Sequence, residues 1–299
     1  MADTPSSSTS PTRLSALLAW IKEPQNRLLW IASGGLLIVL AVWLTYTPNG
    51  LLGKADAIGY AVCHRITVRS FLFPDGRQLP MCARCSGTFL GVLIGLLMPG
   101  LIYRRRHAGA FPSMWVMGFM LLMSALWAFD GANSFLHLIP TAQNIWLYEP
   151  TNFLRLLTGM VHGITMGSLV LPVVNATLWK DVTHEPTLQS IWQVIGLYAV
   201  GGLLMAGILS GLGVFLYPLG FLSAVGAASI LAAINVVMVA TLLRRENTAR
   251  TLADALPLIF LAIALTLVMV GAIDAFRYAV FGTWDGFVFP TAWLGIDLG

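Results

Sequence analysis

Residues 82–103, CARCSGTFLGVLIGLLMPGLIY, decide the fold because they join a C-x-x-C motif directly to an uncharged apolar run. A helix needs about 20 such residues to cross the hydrocarbon core of a bilayer, and the run from Ser86 to Tyr103 comes close to that length. Its glycines Gly87, Gly91 and Gly95 are spaced four apart on one helix face, where glycine lets a neighbouring backbone approach closely. The segment therefore predicts a tightly packed membrane helix with cysteines at its beginning.

The same apolar character extends through the whole chain. Hydrophobic residues make up 57% of it and charged residues 10%, against about 25% charged residues in a soluble domain. We therefore predict an all-α, polytopic membrane helix bundle of about seven transmembrane helices. The predicted spans are Leu28–Thr47, Ser86–Tyr103, Pro112–Phe129, Phe153–Leu178, Ser190–Ser210, Leu219–Leu243 and Ala253–Tyr278.

The basic residues near the helix ends predict an N-in/C-out orientation. With the N-terminus inside, ten Lys and Arg residues fall on the inner side and six or seven on the outer side. We therefore expect a multi-pass protein of the cell inner (plasma) membrane. The net charge of +4 is accounted for by these helix ends and by lipid head groups, so nucleic acid is not an expected partner.

All three cysteines of the chain fall in one short segment. Together with one histidine they form the predicted metal-ligand set Cys63, His64, Cys82 and Cys85. Thiolate and imidazole suit zinc, and C-x-x-C lets two sulfurs reach one ion, so zinc is the expected metal and iron the alternative. Cys63 and His64 are the weakest pair of the set, because the side chains of adjacent residues diverge.

Two other interpretations of the cysteines stay open. Cys82 and Cys85 at a helix N-terminus could form a redox dithiol with Cys63 as the resolving thiol, since nearby arginines favour thiolates. A dithiol beside lipid could exchange electrons with a quinone. Alternatively, a disulfide from Cys63 to one of the other two cysteines only fastens the loop.

A group of polar residues is predicted to line a pocket beside the cysteines. The helix ends put them on one membrane face, and the spacing of Asn152, Arg155 and His162 puts these three on one face of the fourth span. Arg155 is expected to pair with Asp130 or Asp274, because buried charges need partners. The alternative is that such pairs only hold the bundle together. The candidate ligand-binding residues are Asp130, Asn133, Asn152 and Arg155, and the catalytic candidates are Glu149, His162 and Arg155.

Two blocks of sequence resemble a known family. The first contains Cys63-His64-Arg65 and Cys82-Ala83-Arg84-Cys85-Ser86-Gly87, and the second contains Glu149-Pro150-Thr151-Asn152 followed by Arg155. Over Ala57 to Gly167 the chain is similar to a prokaryotic family of predicted integral membrane proteins catalogued as a domain of unknown function. The resemblance implies a prokaryotic membrane protein and carries no established activity.

The chain is accordingly predicted to have three regions. Residues 1–27 are expected to form a cytoplasmic segment, disordered and then amphipathic. Residues 28–178 form the membrane core that resembles the family, with an external Cys/His loop over residues 48–85. Residues 179–299 add a membrane hairpin, a seventh helix and an interfacial aromatic tail that includes Trp284, Phe287, Phe289 and Trp293.

Three classes of function follow from the sequence. The first is a membrane protein with a Cys/His metal centre at the external end of the bundle, next to a polar pocket. The second is a quinone- or lipid-coupled thiol-disulfide oxidoreductase, and the third is a non-enzymatic subunit or assembly factor of a membrane complex. Membrane lipids are expected partners in each case, and other membrane subunits in the third. The chain contains neither a G-x-S-x-G nucleophile motif nor a P-loop, which disfavours a hydrolase and direct use of ATP.

Overall fold

The computed structural model describes residues 24–286 except 138, 140–144 and 146. Within these residues the protein is an all-α bundle, and seven of its helices are long and apolar enough to cross a membrane. The helices are α1 (Pro24–Tyr46), α2 (Gly50–Val62), α3 (Ala83–Leu101), α4 (Met114–Leu136), α5 (Asn152–Leu178), α6 (Ile191–Leu209), α7 (Gly213–Leu242) and α8 (Leu252–Phe281).

The predicted fold class is confirmed, since each of the seven predicted spans corresponds to one long helix. The predicted amphipathic segment before residue 24 and the tail residues Phe287, Phe289 and Trp293 lie outside the described part of the chain. The N-in/C-out orientation and the division into three regions stay predictions.

Two of the longer spans include residues that the sequence predicts to lie outside the helix. α4 continues past Phe129 to Leu136, so that Asp130, Asn133 and Ser134 lie within the helix and are buried. Their polarity suggests a helix end, but each finds hydrogen-bond partners on neighbouring elements. α7 begins before Pro218, which a membrane helix tolerates where neighbouring groups satisfy the freed carbonyl.

The predicted external loop over residues 48–85 contains the short helix α2, which the sequence analysis missed. Its Lys54 and Asp56 interrupt the apolar pattern, so hydropathy alone does not separate it from a loop. Asp56 is buried because it forms ion pairs with Arg65 and Arg77, which lie further along the same segment. The segment is therefore a packed cap on the bundle.

The tightest helix contact joins α3 and α5 through two sets of glycines. At each glycine an added Cβ would lie closer than 3.0 Å to a backbone carbonyl oxygen of the other helix, a separation that real Cβ atoms essentially never show. The six glycines are Gly87, Gly91 and Gly95 on α3 and Gly159, Gly163 and Gly167 on α5. The predicted role of the spacing in close backbone packing is therefore confirmed.

The two ends of the bundle carry different structures. At one end lie the beginnings of α3 and α5 and the ends of α4 and α8, and we call this end the cysteine face. At the other end, two short parallel strands pair, β1 (Ala108–Ala110) and β2 (Thr183–Pro186). An ion pair between Arg105 and Glu185 lies beside these strands. The polar residues considered below all belong to the cysteine face or to the helix turns just beneath it.

Replacing Gly163 with alanine is expected to destabilise the protein. The new methyl group would overlap the Thr88 carbonyl, and overpacking of this kind costs about 1–3 kcal/mol. Gly202→Ala on α6 is the matched control, because nothing lies within 4 Å of its added Cβ. Thermal unfolding in detergent should give a lower Tm for Gly163→Ala and an unchanged or higher Tm for Gly202→Ala. Equal values for the two variants would contradict the close-packing interpretation.

Candidate functional site

The three cysteines converge at the cysteine face. The sulfur atoms of Cys63, Cys82 and Cys85 all lie within 4.8 Å of one another, and we call this group the thiol triad. All three thiols are free in the structure, so the fastening disulfide considered above is not formed here. Cys63 is buried and Cys82 and Cys85 are half-buried, so the triad lies at the packed edge of the bundle.

Two segments position the triad. Cys82 is the N-cap residue of α3 and Cys85 lies in its first turn, so both sulfurs are fixed to one helix end. Cys63 directly follows α2, and its sulfur accepts the backbone N–H of Arg65 at 3.3 Å and that of Cys82 at 3.4 Å. From α8, Arg277 donates to the carbonyl of Cys63 at 2.9 Å. The triad is therefore held from three directions.

The pKa values of the Cys63 and Cys82 thiols are shifted in opposite directions. Hydrogen bonds from Cys63 and then Cys85 hold the pKa of Cys82 well below its usual range. The hydrogen bond with Cys82 is also the main cause that raises the pKa of Cys63 to about 12. Negative charge at Cys82 is further favoured because it precedes the first turn of a helix. Cys82 is therefore the first of the two to become a thiolate.

His64 is not part of the triad. It is an exposed residue, and among the described residues the group with metal-ligand spacing consists of the three cysteines alone. Side chains of adjacent residues diverge in extended backbone, and Cys63 has extended dihedral angles. The sulfur of Cys63 therefore points to the triad while the imidazole of His64 does not join it.

Asp130 is the centre of the polar pocket beside the triad. Its side chain is 2% exposed and forms an ion pair with Arg84, which lies between the two cysteines of α3. Tyr148 donates to the same carboxylate at 2.7 Å, and Thr158 does so at 3.4 Å. Burial, and then the hydrogen bond to Asp130, raise the pKa of Tyr148 to about 12. The predicted pairing of Asp130 with Arg155 is therefore wrong, because Arg84 occupies that role.

Three arginines surround this carboxylate and carry more positive charge than it neutralises. Arg84 also donates to Ser134 Oγ at 3.0 Å, and Arg69 donates to the Ser134 carbonyl at 2.8 Å. Arg155 is 7% exposed and donates to Asn152 at 2.9 Å, while its Nε has no hydrogen-bond partner in the described part of the chain. Burial, then the charges of Arg155 and Arg84, lower the pKa of Arg69 to about 10. We call Arg69, Arg84 and Arg155 the arginine cluster.

The arginine cluster lies within electrostatic range of the triad. The charge of Arg84 favours the thiolate of Cys82, and Arg69 and Arg155 also interact with that charge. Among the described residues, Asp130 is the one carboxylate that interacts with all three arginines. Three positive charges and one negative charge leave the pocket with a surplus of two positive charges. The site is therefore suited to thiolates and to other anions.

The remaining predicted site residues have different surroundings. Asn133 donates to the Tyr148 carbonyl at 2.8 Å and accepts from the Leu147 N–H at 2.7 Å, so it holds the segment before α5 in place. Glu149 is exposed. Asn152 is half-buried and orients Arg155. Of these residues, Asn152 is the one that contacts the arginine cluster.

His162 lies two turns deeper in α5 than Arg155. Its ring stacks on Trp127 with the centroids 4.1 Å apart, and its Nδ1 is hydrogen-bonded to Ser124. Both partners belong to α4, so His162 joins two membrane helices. Asp274, the other predicted partner of Arg155, lines a separate cavity between α1 and α8.

Arg69 and Arg84 were predicted from the sequence to favour thiolates, but neither they nor Tyr148 were among the residues predicted to line the polar pocket. The place of Arg84 in the pocket could have been predicted, because its position between Cys82 and Cys85 puts it on the first turn of α3. That of Tyr148 could not, because its contact with Asp130 depends on how the segment before α5 returns to α4.

Replacing Asp130 with asparagine is expected to destabilise the protein strongly. Removing one partner of a buried ion pair costs about 3–5 kcal/mol, because Arg84 would keep its charge without the carboxylate. Tyr148→Phe should have a smaller effect, since it removes one hydrogen bond. Asp181→Asn is the control, because Asp181 is exposed. Chemical unfolding in detergent micelles measures all three, and equal stability of Asp130→Asn and Asp181→Asn would contradict this role of Asp130.

Comparisons with known proteins agree with the resemblance over residues 57–167. Residues 63–169 match the family model described as "Predicted membrane protein (DUF2085)". The chain is also similar to "Uncharacterized protein MJ1492" of Methanocaldococcus jannaschii, with 32% identity over 124 residues that cover 42% of this chain and 70% of the relative. No solved structure matches the chain. The matched region contains the triad, the arginine cluster and the six glycines, and the chain therefore belongs to the DUF2085 family of predicted membrane proteins.

Proposed function

We propose that this multi-pass membrane protein binds one metal ion, most favourably zinc, through Cys63, Cys82 and Cys85. The observation that carries the proposal is the convergence of every cysteine of the chain, from two separate segments, into one group with sulfurs within 4.8 Å. Around a tetrahedral zinc ion with Zn–S bonds of about 2.3 Å, sulfurs lie about 3.8 Å apart. Sulfurs that all lie within 4.8 Å of one another are compatible with that arrangement.

The donor set favours zinc, with iron as the second candidate. Thiolates are soft ligands that select zinc and iron over magnesium or calcium. Structural zinc sites have four protein ligands, whereas sites with three keep a position for water or substrate. A centre built on the triad would have three protein ligands, with the arginine cluster close to it.

Charge balance supports the same assignment. Zinc with three thiolates carries one net negative charge, and the arginine cluster with Asp130 carries two positive charges. The sum is close to neutral, which lowers the cost of placing the centre at the membrane boundary. The remaining positive charge suits an anionic group as the molecule that reaches the open position, and Arg155, with an unpartnered Nε, is the residue to bind it.

We propose a location in the cell inner (plasma) membrane with the cysteine face outside, because more basic residues lie at the helix ends of the opposite face. Membrane lipids surround the seven spans, whose apolar surface is extensively exposed. Anionic groups in such a setting include lipid head groups, which reach the beginnings of α3 and α5 at the membrane boundary.

The main competing function is thiol-disulfide exchange. The same proximity would let any two of the three thiols oxidise to a disulfide, with the third available to resolve it. A non-enzymatic subunit would instead use the triad only to stabilise the fold. The metal centre and thiol-disulfide exchange predict different contents of metal and of free thiols in the purified protein.

Elemental mass spectrometry and denatured free-thiol counting on the purified protein are the test. We expect about one zinc or iron ion per chain, lost in Cys63→Ser, Cys82→Ser and Cys85→Ser. His64→Ala is the matched control and should keep the metal, because His64 is exposed and outside the triad. A metal-free protein with a disulfide that reductant opens reversibly would overturn the metal centre in favour of thiol exchange.

The arginine cluster gives a second prediction for the same centre. Arg69→Gln and Arg155→Gln remove positive charge beside Cys82, so zinc should be lost to a chelator severalfold faster than from the wild type. Arg105→Gln is the control with the same change of charge, because Arg105 pairs with Glu185 at the opposite end of the bundle. Equal rates in all three variants would contradict electrostatic support of the triad.

A further inference from the structure

A second cavity lies away from the triad, between α1 and α8. Its volume is about 690 Å³, within the range of about 300–1,000 Å³ that small-molecule sites show. Exposed α1 residues such as Ile38 and Val42 form part of its lining, so a molecule can enter from the lipid. Most of the lining is apolar, and the aromatic residues Tyr46, Tyr278 and Trp284 lie among it.

Two buried polar groups line this apolar cavity without a hydrogen-bond partner. Asp274 is 2% exposed, and neither of its carboxylate oxygens has a partner among the described residues. Trp43 is 8% exposed, and its indole Nε1 likewise lacks an acceptor. A buried polar group left unsatisfied costs about 1–3 kcal/mol, and a charged group more. Two such groups in one cavity indicate that something else satisfies them.

The cations closest in sequence to these groups donate their hydrogen bonds to other acceptors in the described residues, and none to Asp274. Lys54, whose ammonium lies 5.9 Å from the Trp43 ring, donates to Thr47 and to the Leu44 carbonyl. Arg277, one turn after Asp274, donates to the carbonyls of Tyr60 and Cys63. The charge of Arg277 acts on Asp274, but neither carboxylate oxygen accepts a hydrogen bond from a described residue, so both remain available to a ligand in the cavity.

The two groups without partners, the Trp43 indole on α1 and the Asp274 carboxylate on α8, lie on the two sides of the cavity. Trp43 Cδ1, the atom next to Nε1, would be 3.7 Å from a Cβ added to Gly271. Gly271 precedes Asp274 by three residues, so both occupy the same face of α8. The absence of a side chain at Gly271 leaves the space beside the indole open.

We propose that this cavity binds a lipid-soluble phenol or hydroquinone, with its hydroxylated ring between Trp43 and Asp274. The ligand must accept a hydrogen bond from the indole and donate one to the carboxylate, and a hydroxyl group does both. An ammonium group has no acceptor for the indole N–H, and an oxidised quinone has no donor for an ionised carboxylate, so each would leave one of these groups unsatisfied. Aromatic residues favour a ring as the head group, and the apolar entrance favours an alkyl or isoprenoid tail.

The proposal is independent of the metal centre. The two sites are joined by α8, since Arg277 fixes the backbone of Cys63 one turn beyond Asp274. Occupancy of the cavity nevertheless depends on Asp274, Trp43 and the open space at Gly271, none of which belongs to the triad.

Native mass spectrometry of the full chain, titrated anaerobically with 2-decylhydroquinone, is the test. This method separates bound hydroquinone from bound phospholipid by mass. The matched ligand is the dimethyl ether of 2-decylhydroquinone, which has the same ring and tail but cannot donate. On the wild-type protein we expect one saturable site for the hydroquinone and affinity about tenfold or more weaker for the ether, the effect of losing a hydrogen bond to a charged group.

Substitutions in the cavity lining test whether the hydroquinone binds there. Asp274→Leu should weaken hydroquinone binding about tenfold or more, and Gly271→Leu should abolish it by filling the cavity while keeping both polar groups. Thr45→Val is the control, because Thr45 is exposed on α1 and does not line the cavity. Equal affinity for hydroquinone and ether on the wild type, phospholipid as the bound molecule, or unchanged binding in Asp274→Leu or Gly271→Leu would each overturn the proposal. The ligand comparison needs no variant, so a variant that fails to fold leaves the test intact.

Discussion

The glycine contact between α3 and α5 is the constraint on which the candidate site depends. Because six glycines leave no Cβ where the two helices cross, the two backbones come into direct contact and allow little relative movement. The first turn of α3 carries Arg84 and Cys85, and the first turn of α5 carries Arg155. The distance between thiols and cations is therefore set by main-chain packing, which is stiffer than any contact between long side chains.

That stiffness explains how three arginines can remain close together near a membrane. Asp130 neutralises Arg84 directly, but Arg69 and Arg155 rely on single hydrogen bonds to a carbonyl and an amide. Arg84 and Arg155 would move apart if α3 and α5 could separate, and the contact between these helices prevents this, while Arg69 is held by its hydrogen bond to the Ser134 carbonyl. An anionic centre at the triad would supply the balance that one carboxylate does not, so the glycines, the arginines and the cysteines act as one arrangement.

Local patterns of the sequence predicted the helices, the close contact and the cysteine group, because each depends on spacing within one segment. Seven apolar runs predict seven spans, and glycine at every fourth residue predicts a tight interface. Pairing across segments could not be predicted in the same way. Asp130 and Arg84 lie on different helices, and several cations could satisfy one carboxylate, so Arg155 was the wrong choice. The helix α2 was missed because its buried Asp56 makes it look like a loop.

The region shared with the family contains the triad but not all of its support. The family match ends at residue 169, whereas Arg277, which holds the carbonyl of Cys63, lies on α8. Arg277 also packs over the ring of Tyr60, with its guanidinium carbon 4.0 Å from the ring centroid. In this chain, α8 therefore connects the shared thiol group to a cavity built from α1 and α8, both outside the match. A ligand that orders the end of α8 would also fix the backbone of one thiol, so the two sites can influence each other through Arg277 without sharing a ligand.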